Sequence, residues 1–288
     1  MTASESVSRT ALRDFVDLDF ARRLEVAETL APDHIRALQR FSPDAAAATI
    51  AGGTAIYGGA TYPSNQIVGM GLYGAVSSGD IEQLEEFYRS RAVPCRIVVS
   101  PLVDTSLLEL LAPRGYGVAE FNSVLIRRLD DIGLVEPAAG ITVERVNDAT
   151  AKLWDSMVAQ GFAEFGPLPE NLFVPFAVLP QTMNFLARAG GDAAGGGMGY
   201  VFREAGIAAL FGSSTLPQFR GRGVQTALIN RRLWEARQAG CEYAVVSTLP
   251  GSGSQRNMER RGFRVAYTKV VMARSWPESA EPGKDDGH

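Results

Sequence analysis

Two cysteines and two histidines in 288 residues leave little room for several kinds of chemistry. A disulfide scaffold needs more cysteines, and no Cys or His spacing here suggests a metal site. Cys95 and Cys241 each precede an apolar run, which points to buried free thiols. With only His34 and His288 available, a His-based triad or metal cluster is excluded. Basic charge is not in excess either. The formal net charge is −4, whereas a general nucleic-acid binder needs a basic surface. No apolar window approaches the roughly 18 residues that suggest a membrane span. Residues 1–6 show no basic region followed by an apolar stretch. The expectation is a cytoplasmic protein with no metal, nucleic-acid or membrane partner.

What is present is an ordinary globular composition, 46% apolar and 21% charged. The chain also echoes itself. Arg114-Gly115-Tyr116-Gly117-Val118 matches Arg261-Gly262-Phe263-Arg264-Val265 at an offset of 147 positions. The same offset aligns Ile97-Val98-Val99-Ser100 with Ala244-Val245-Val246-Ser247, and Val124-Leu125-Ile126-Arg127 with Val271-Met272-Ala273-Arg274. This reads as a tandem duplication, with copies over residues 1–135 and 140–274. The acidic, Gly- and Pro-containing stretch 130–140 would join them. The polar tail 275–288 carries Pro277, Pro282 and Gly283 and is expected to be disordered.

The second copy carries the chemistry. A strand over 206–213 precedes a Gly-rich turn. A helix follows over 224–238, with Ile229, Leu233 and Ala236 on one face. A short apolar run over 243–247 reads as a buried parallel strand. The whole is a βαβ crossover. Its turn, Arg220-Gly221-Arg222-Gly223, lies directly before the helix. A helix N-terminus offers unpaired N–H groups and a positive dipole end, so phosphate or pyrophosphate binding follows. The same glycines would also serve a tight turn with no ligand. A P-loop requires Lys followed by Ser or Thr, and Val224-Gln225 stands there instead. A dinucleotide fingerprint requires a third small residue at Thr226 and an acid after the next strand. Glu242 lies before that strand.

The run Leu216-Pro217-Gln218-Phe219-Arg220-Gly221-Arg222-Gly223-Val224-Gln225-Thr226-Ala227-Leu228 resembles the coenzyme-binding motif of the GNAT N-acetyltransferase superfamily, Gln/Arg-x-x-Gly-x-Gly/Ala. Arg220 and Gly223 match, and Gln225 departs from the last position. Arg261-Gly262-Phe263 resembles the Gly-Phe near the family's C-terminus. The resemblance implies an α/β fold, a mixed sheet flanked by helices, here in two tandem copies. It implies that backbone amides of Gly221, Arg222, Gly223, Val224, Gln225 and Thr226 hold the coenzyme A pyrophosphate. Ser214, Thr215 and Leu216 would pair through their backbones with the pantetheine arm, and a backbone amide near Leu216 would stabilise the oxyanion. Arg220 or Arg222 could neutralise phosphate charge, and Ser254 and Asn257 could bond the coenzyme arm or act as helix caps.

The expected activity is acetyl-CoA-dependent transfer of an acetyl group to an amine of a small molecule or peptide. An acyl-CoA sensor without turnover, or an enzyme using another acyl-CoA, are the alternatives. Members often use a Tyr four residues before the Gly of Gly-Phe to protonate the leaving thiolate. Met258 stands there, with Tyr267 and Ser254 as substitutes. Glu164, Glu170 and Glu144 are the candidate bases. The aromatic-rich stretch 162–185 reads as core or as the wall of an acceptor pocket. In the first copy the turn falls on Tyr73-Gly74-Ala75-Val76, with Asp80 as the expected cap of the next helix. That copy is expected not to bind coenzyme A.

Overall fold

Alternating apolar residues build two long central strands, β5 (Gly117–Arg128) and β11 (Arg264–Arg274). On β5, Val124 and Ile126 face one core and Leu125 the other, the period-2 pattern of a strand covered on both faces. The computed structural model describes residues 16–29, 32–162, 168 and 171–276. The first half contributes helices α1 (Leu18–Val26) and α2 (Pro32–Leu38) and strands β1 (Ala46–Ile50), β2 (Gly53–Tyr57) and β3 (Gln66–Val68). It continues with α3 (Ser78–Arg89), β4 (Cys95–Val99) and α4 (Thr105–Leu111), then β5. The second half contributes β6 (Ile141–Arg145), α5 (Ala151–Phe162), β7 (Phe185–Ala189), β8 (Asp192–Phe202) and β9 (Ile207–Thr215). It ends with α6 (Val224–Gln238), β10 (Tyr243–Thr248), α7 (Gly253–Glu259) and β11.

All the named strands form one mixed sheet in the order β1-β2-β3-β4-β11-β5-β10-β9-β8-β7-β6. The centre is the informative part. β5 lies between β11 and β10, while β11 lies between β4 and β5. Each half therefore ends in a strand that is seated beside the other half's strands, the arrangement of an exchanged element. Helix α1 crosses as well. Phe20 and Leu24 pack with Ile207, Ala209, Tyr243 and Val245, and Arg23 Nε donates to Ala205 O at 2.9 Å. Residues 1–135 and 140–274 are thus interleaved in space, and one buried cluster draws on both.

Strand β8 runs from Asp192 and takes in Gly195-Gly196-Gly197. Those glycines sit where neighbours press on the sheet. A side chain at Gly196 would meet Val158 and Trp154, and one at Gly197 would meet Arg232. Helix α7 starts at Gly253, with Ser252 as its cap. One element differs from the sequence reading. The tail does not begin at Ser275: Trp276 packs against the first-half core, and its Nε1 donates to Val93 O at 2.8 Å. Cys95 and Cys241 are buried free thiols, as their apolar settings imply, and burial pushes them up to about 12 and about 11.

Candidate active site

Strands β9 and β10 are parallel neighbours only from Tyr243/Ile207 to Val245/Ala209. Beyond that point they separate. β10 stays on β5 as far as Thr248 opposite Ser123, and β9 stays on β8 as far as Thr215 opposite Gly195. A wedge opens between them, with backbone edges on both sides able to receive an extended ligand. The wedge begins beside a bulge. Phe211 pairs with Met198 and Ser214 with Gly196, so Gly212 and Ser213 together oppose Gly197. Gly212 has φ 50, and a Cβ there would sit 1.8 Å from Met198 Cε. Only glycine fits.

The turn that follows β9 ends at the N-terminus of α6. Gly221 and Gly223 hold φ of 76 and 92, and Gly223 caps the helix with no side-chain hydrogen bond. The first intrahelical bond is from Ala227 N–H to Gly223 O at 3.0 Å. The amides before it have no intrahelical acceptor. Arg220 and Arg222 are exposed. Arg220 Nε lies 3.4 Å from Thr215 O, and Arg222 stacks on Phe219. Among the described residues no carboxylate pairs with either. This is a cationic mouth with open amides, the environment an anionic diphosphate needs.

Gln225, the departure from the family motif, has a use in this geometry. Its Oε1 accepts from Ser213 Oγ at 3.3 Å and Thr215 Oγ1 at 3.4 Å, tying the helix to the end of β9. Of the three residues expected to pair with an extended arm, two are turned the other way. Leu216 N–H donates to Ala194 O at 2.9 Å, and Ser214, two residues earlier, pairs with Gly196 on the same strand while its Oγ donates to Met157 O at 2.7 Å. Alternation leaves Thr215 facing the wedge. The Leu216 amide itself is held by β8, so an oxyanion donor near Leu216 would come from a neighbouring amide. The bulge at Gly212–Ser213 supplies the irregular backbone at the wedge.

The acid and base candidates fare as follows. Glu164 and Glu170 lie outside the described residues. Glu144 is on the edge strand β6 and holds Arg188 Nε at 2.8 Å. Tyr267 is buried on β11 and donates to Glu25 Oε1 at 2.6 Å. Burial, reinforced by Glu25, pushes its hydroxyl far above the ordinary phenol range. With its hydroxyl buried and committed to Glu25, Tyr267 stands as an anchor of that carboxylate. Ser254 is exposed in the first turn of α7, and Asn257 is half-buried one turn on. The cap is Ser252, whose Oγ accepts from Gln255 N–H. Met258 is buried in the core under α6.

Beyond the wedge, on the face carrying α5, lies a cavity of about 490 Å³. Phe162, Phe173, Phe176, Met198 and Phe211 line it, so the aromatic stretch is wall as well as core. The first half closes it with His34 and residues 61–64. His34 stacks edge-on to Tyr200 at 4.5 Å. A smaller cavity of about 220 Å³ shares His34, Tyr62, Ser64 and Phe211 with the first. Its walls include Leu210, Val246, Ser247 and Glu28, which places it at the parting of β9 and β10. Glu28 and Ser247 escaped the sequence reading because 219 positions separate them. One local signal existed: Lys269 shares the inward face of its strand with Tyr267 and Val271, and a buried lysine calls for an acid. Among the described residues no group of His, Cys, Asp and Glu could hold a metal, and no helix is long and apolar enough to cross a membrane.

Comparison with known proteins agrees with this geometry. Residues 149–263 match the model of the Acetyltransferase (GNAT) family. Among solved structures, a GCN5-related N-acetyltransferase from Kribbella flavida superposes with a TM-score of 0.62 at 16% identity, over 86% of this chain and 96% of that one. A tandem GNAT protein from the clavulanic acid biosynthesis pathway gives 0.58 at 13% identity, over 89% and 93%. A GCN5-related N-acetyltransferase from Sphaerobacter thermophilus gives 0.57 at 19% identity, over 73% and 71%. At these identities the likeness is one of fold. No curated protein matches the sequence.

Proposed function

We propose that the GNAT-family domain at residues 149–263 binds acetyl-CoA and transfers its acetyl group to an amine. The observation that carries this reading is the succession of three features: the open N-terminus of α6, the wedge between β9 and β10, and the cavity where those strands part. The diphosphate would rest on the amides from Gly221 to Thr226, with Arg220 and Arg222 beside it. The extended arm would run along Thr215 and enter the wedge. Ser254 and Asn257 stand near the arm's other side, at the C-terminal end of β10. This directs the thioester toward the cavities between the halves.

The chemistry required there is modest. The amine must lose a proton, the developing oxyanion needs a donor, and the thiolate must leave. The bulge at Gly212–Ser213 supplies backbone at the point where the thioester carbonyl arrives. No hydroxyl replaces Met258, so the thiolate takes its proton from another source.

Calorimetry with acetyl-CoA and a thiol-release assay with a panel of amines test the reading together. Saturable binding at one coenzyme per chain, with amine-dependent thiol release, is the expected result. Binding without release for every amine would favour an acyl-CoA sensor. Faster release with a longer acyl chain would reassign the larger cavity to the acyl group.

A further inference from the structure

Glu28 is the one carboxylate among the described residues lining the two joined cavities, and no lysine or arginine lines either. It reaches the smaller cavity from just beyond the C-terminal end of α1, which lies outside the GNAT-family match. Its Oε2 holds Lys269 Nζ at 2.7 Å, and its Oε1 accepts a short hydrogen bond from Ser247 Oγ. Behind it, Lys269 Nζ also approaches Glu25 Oε2 at 3.4 Å, and Tyr267 caps Glu25. Exposure separates these groups. The side chains of Lys269 and Glu25 are 2% exposed, while that of Glu28 is 19% exposed and borders the cavity. Two carboxylates therefore share one ammonium, and only one of them meets the space where β9 and β10 part.

We propose that Glu28 is the proton acceptor of the transfer reaction, and that the acceptor is an amine on an apolar, aromatic-sized body. The inference rests on the acyl-transfer reading above. The cavity walls support the second part: Tyr62, Phe173, Phe176 and Phe211 offer ring surface, while Glu28 offers the single charge. A polycation or a carboxylate-bearing acceptor finds no complement there. The step balances as follows. The neutral amine nitrogen bonds to the thioester carbonyl carbon, and its N–H proton passes to Glu28. The C–S bond breaks with its electron pair on sulfur. The thiolate then takes up that proton, directly or through water, and Glu28 returns to the carboxylate. Lys269, Ser247 and, through Lys269, Glu25 hold Glu28 in place, so Ser247 and Lys269 are positioning residues.

The test uses the full chain with acetyl-CoA and two probe amines, 2-phenylethylamine and spermidine. Thiol release should favour 2-phenylethylamine. Glu28→Gln should lower kcat about 100-fold or more, with coenzyme affinity unchanged. Glu109→Gln, a surface change on α4, should leave the rate alone. Should Glu28→Gln fail to fold, Glu28→Asp should fold and lose rate. Formate should restore part of the rate of Glu28→Ala, which a purely structural role would not allow. A Glu28→Gln rate within threefold of wild type, or a preference for spermidine, would overturn the proposal while leaving acyl transfer standing. If the wild type binds acetyl-CoA but releases thiol with no amine, acyl transfer itself fails and the role of Glu28 falls with it.

Discussion

Helices α3 and α6 each connect two parallel strands, β3 to β4 and β9 to β10, yet their N-termini are finished in opposite ways. At α3, Ser77 Oγ accepts from Asp80 N–H at 3.2 Å, while Asp80 Oδ2 accepts from Ser77 N–H at 2.8 Å and Ser77 Oγ at 2.6 Å. This is a complete capping box, with Asp80 at the third helical position and Ser77 as the cap. The helix has supplied its own anion. At α6 the cap is Gly223, no side chain bonds the first-turn amides, and Arg220 and Arg222 stand outside. The difference teaches that an anion site on a helix is made by omission. The dipole and the orphan amides are common property of both helices; what distinguishes them is whether a side chain has already used them. The helix interiors diverge too. Glu85 of α3 is buried with Arg274 at 2.7 Å, whereas Arg232, its equivalent on α6, is buried with Met198 O, Phe211 O and Ser213 Oγ.

The largest effect should come from copying the α3 device onto α6. Thr226 is the third residue of α6 and matches Asp80 in the helix frame. Thr226→Asp would place a carboxylate among the amides proposed to hold the diphosphate. Repulsion at about 4 Å near a surface costs roughly 3 kcal/mol or more, so coenzyme affinity should fall about 100-fold. The melting temperature should hold or rise slightly, because an acid in the first turn favours the helix. Calorimetry and a thermal melt check both. Unchanged affinity would mean that the diphosphate does not sit on α6.

That contrast was legible in part before any coordinates. The limits of α6 follow from its apolar face, and Gly221 and Gly223 announce an uncapped start. Its opposite number was placed less well, because Ser77 and Asp80 are both good caps and only the backbone decides which residue is the cap. The resemblance pointed to an extended arm along Ser214 to Leu216, but no local pattern reports the bulge at Gly212–Ser213. Glu28 was out of reach of local pattern. Its partners Ser247 and Lys269 come to it only because α1 crosses onto the second half and β11 crosses toward the first. No periodicity reports such long-range exchange.

A middling effect should follow from Arg232→Met. The guanidinium donates to Met198 O on β8, Phe211 O on β9 and Ser213 Oγ, and burial lowers its pKa to about 10. Removing it leaves those acceptors without donors in the interior, at roughly 2–4 kcal/mol of stability. The bulge at Gly212–Ser213 should loosen, so kcat should fall more than coenzyme affinity. Denaturant unfolding and steady-state kinetics separate the two. A fully stable variant would show that Arg232 is dispensable packing and that the wedge is held open by other means.

The smallest effect should come from emptying the first half's cap. Asp80→Asn removes the charge while leaving an oxygen able to accept from Ser77, so the cost should be at most about 1 kcal/mol. The sign with pH is definite. Hydrogen bonds from Ser77 hold the Asp80 carboxyl below its ordinary range, so its contribution is present above that range and lost as pH falls through the lowered value. Asp80→Asn should therefore flatten the acid side of the stability curve and leave neutral pH nearly unchanged. Coenzyme stoichiometry should stay at one per chain even with this cap weakened. The turn before α3 has Tyr73 and Ala75 where α6 has Arg220 and Arg222, and its Val76 amide is already held by Ser106 Oγ at 2.8 Å. An open helix end is necessary for the anion but not sufficient without the arginines and the free turn. A second coenzyme bound to Asp80→Asn would show that the cap alone kept the first half silent.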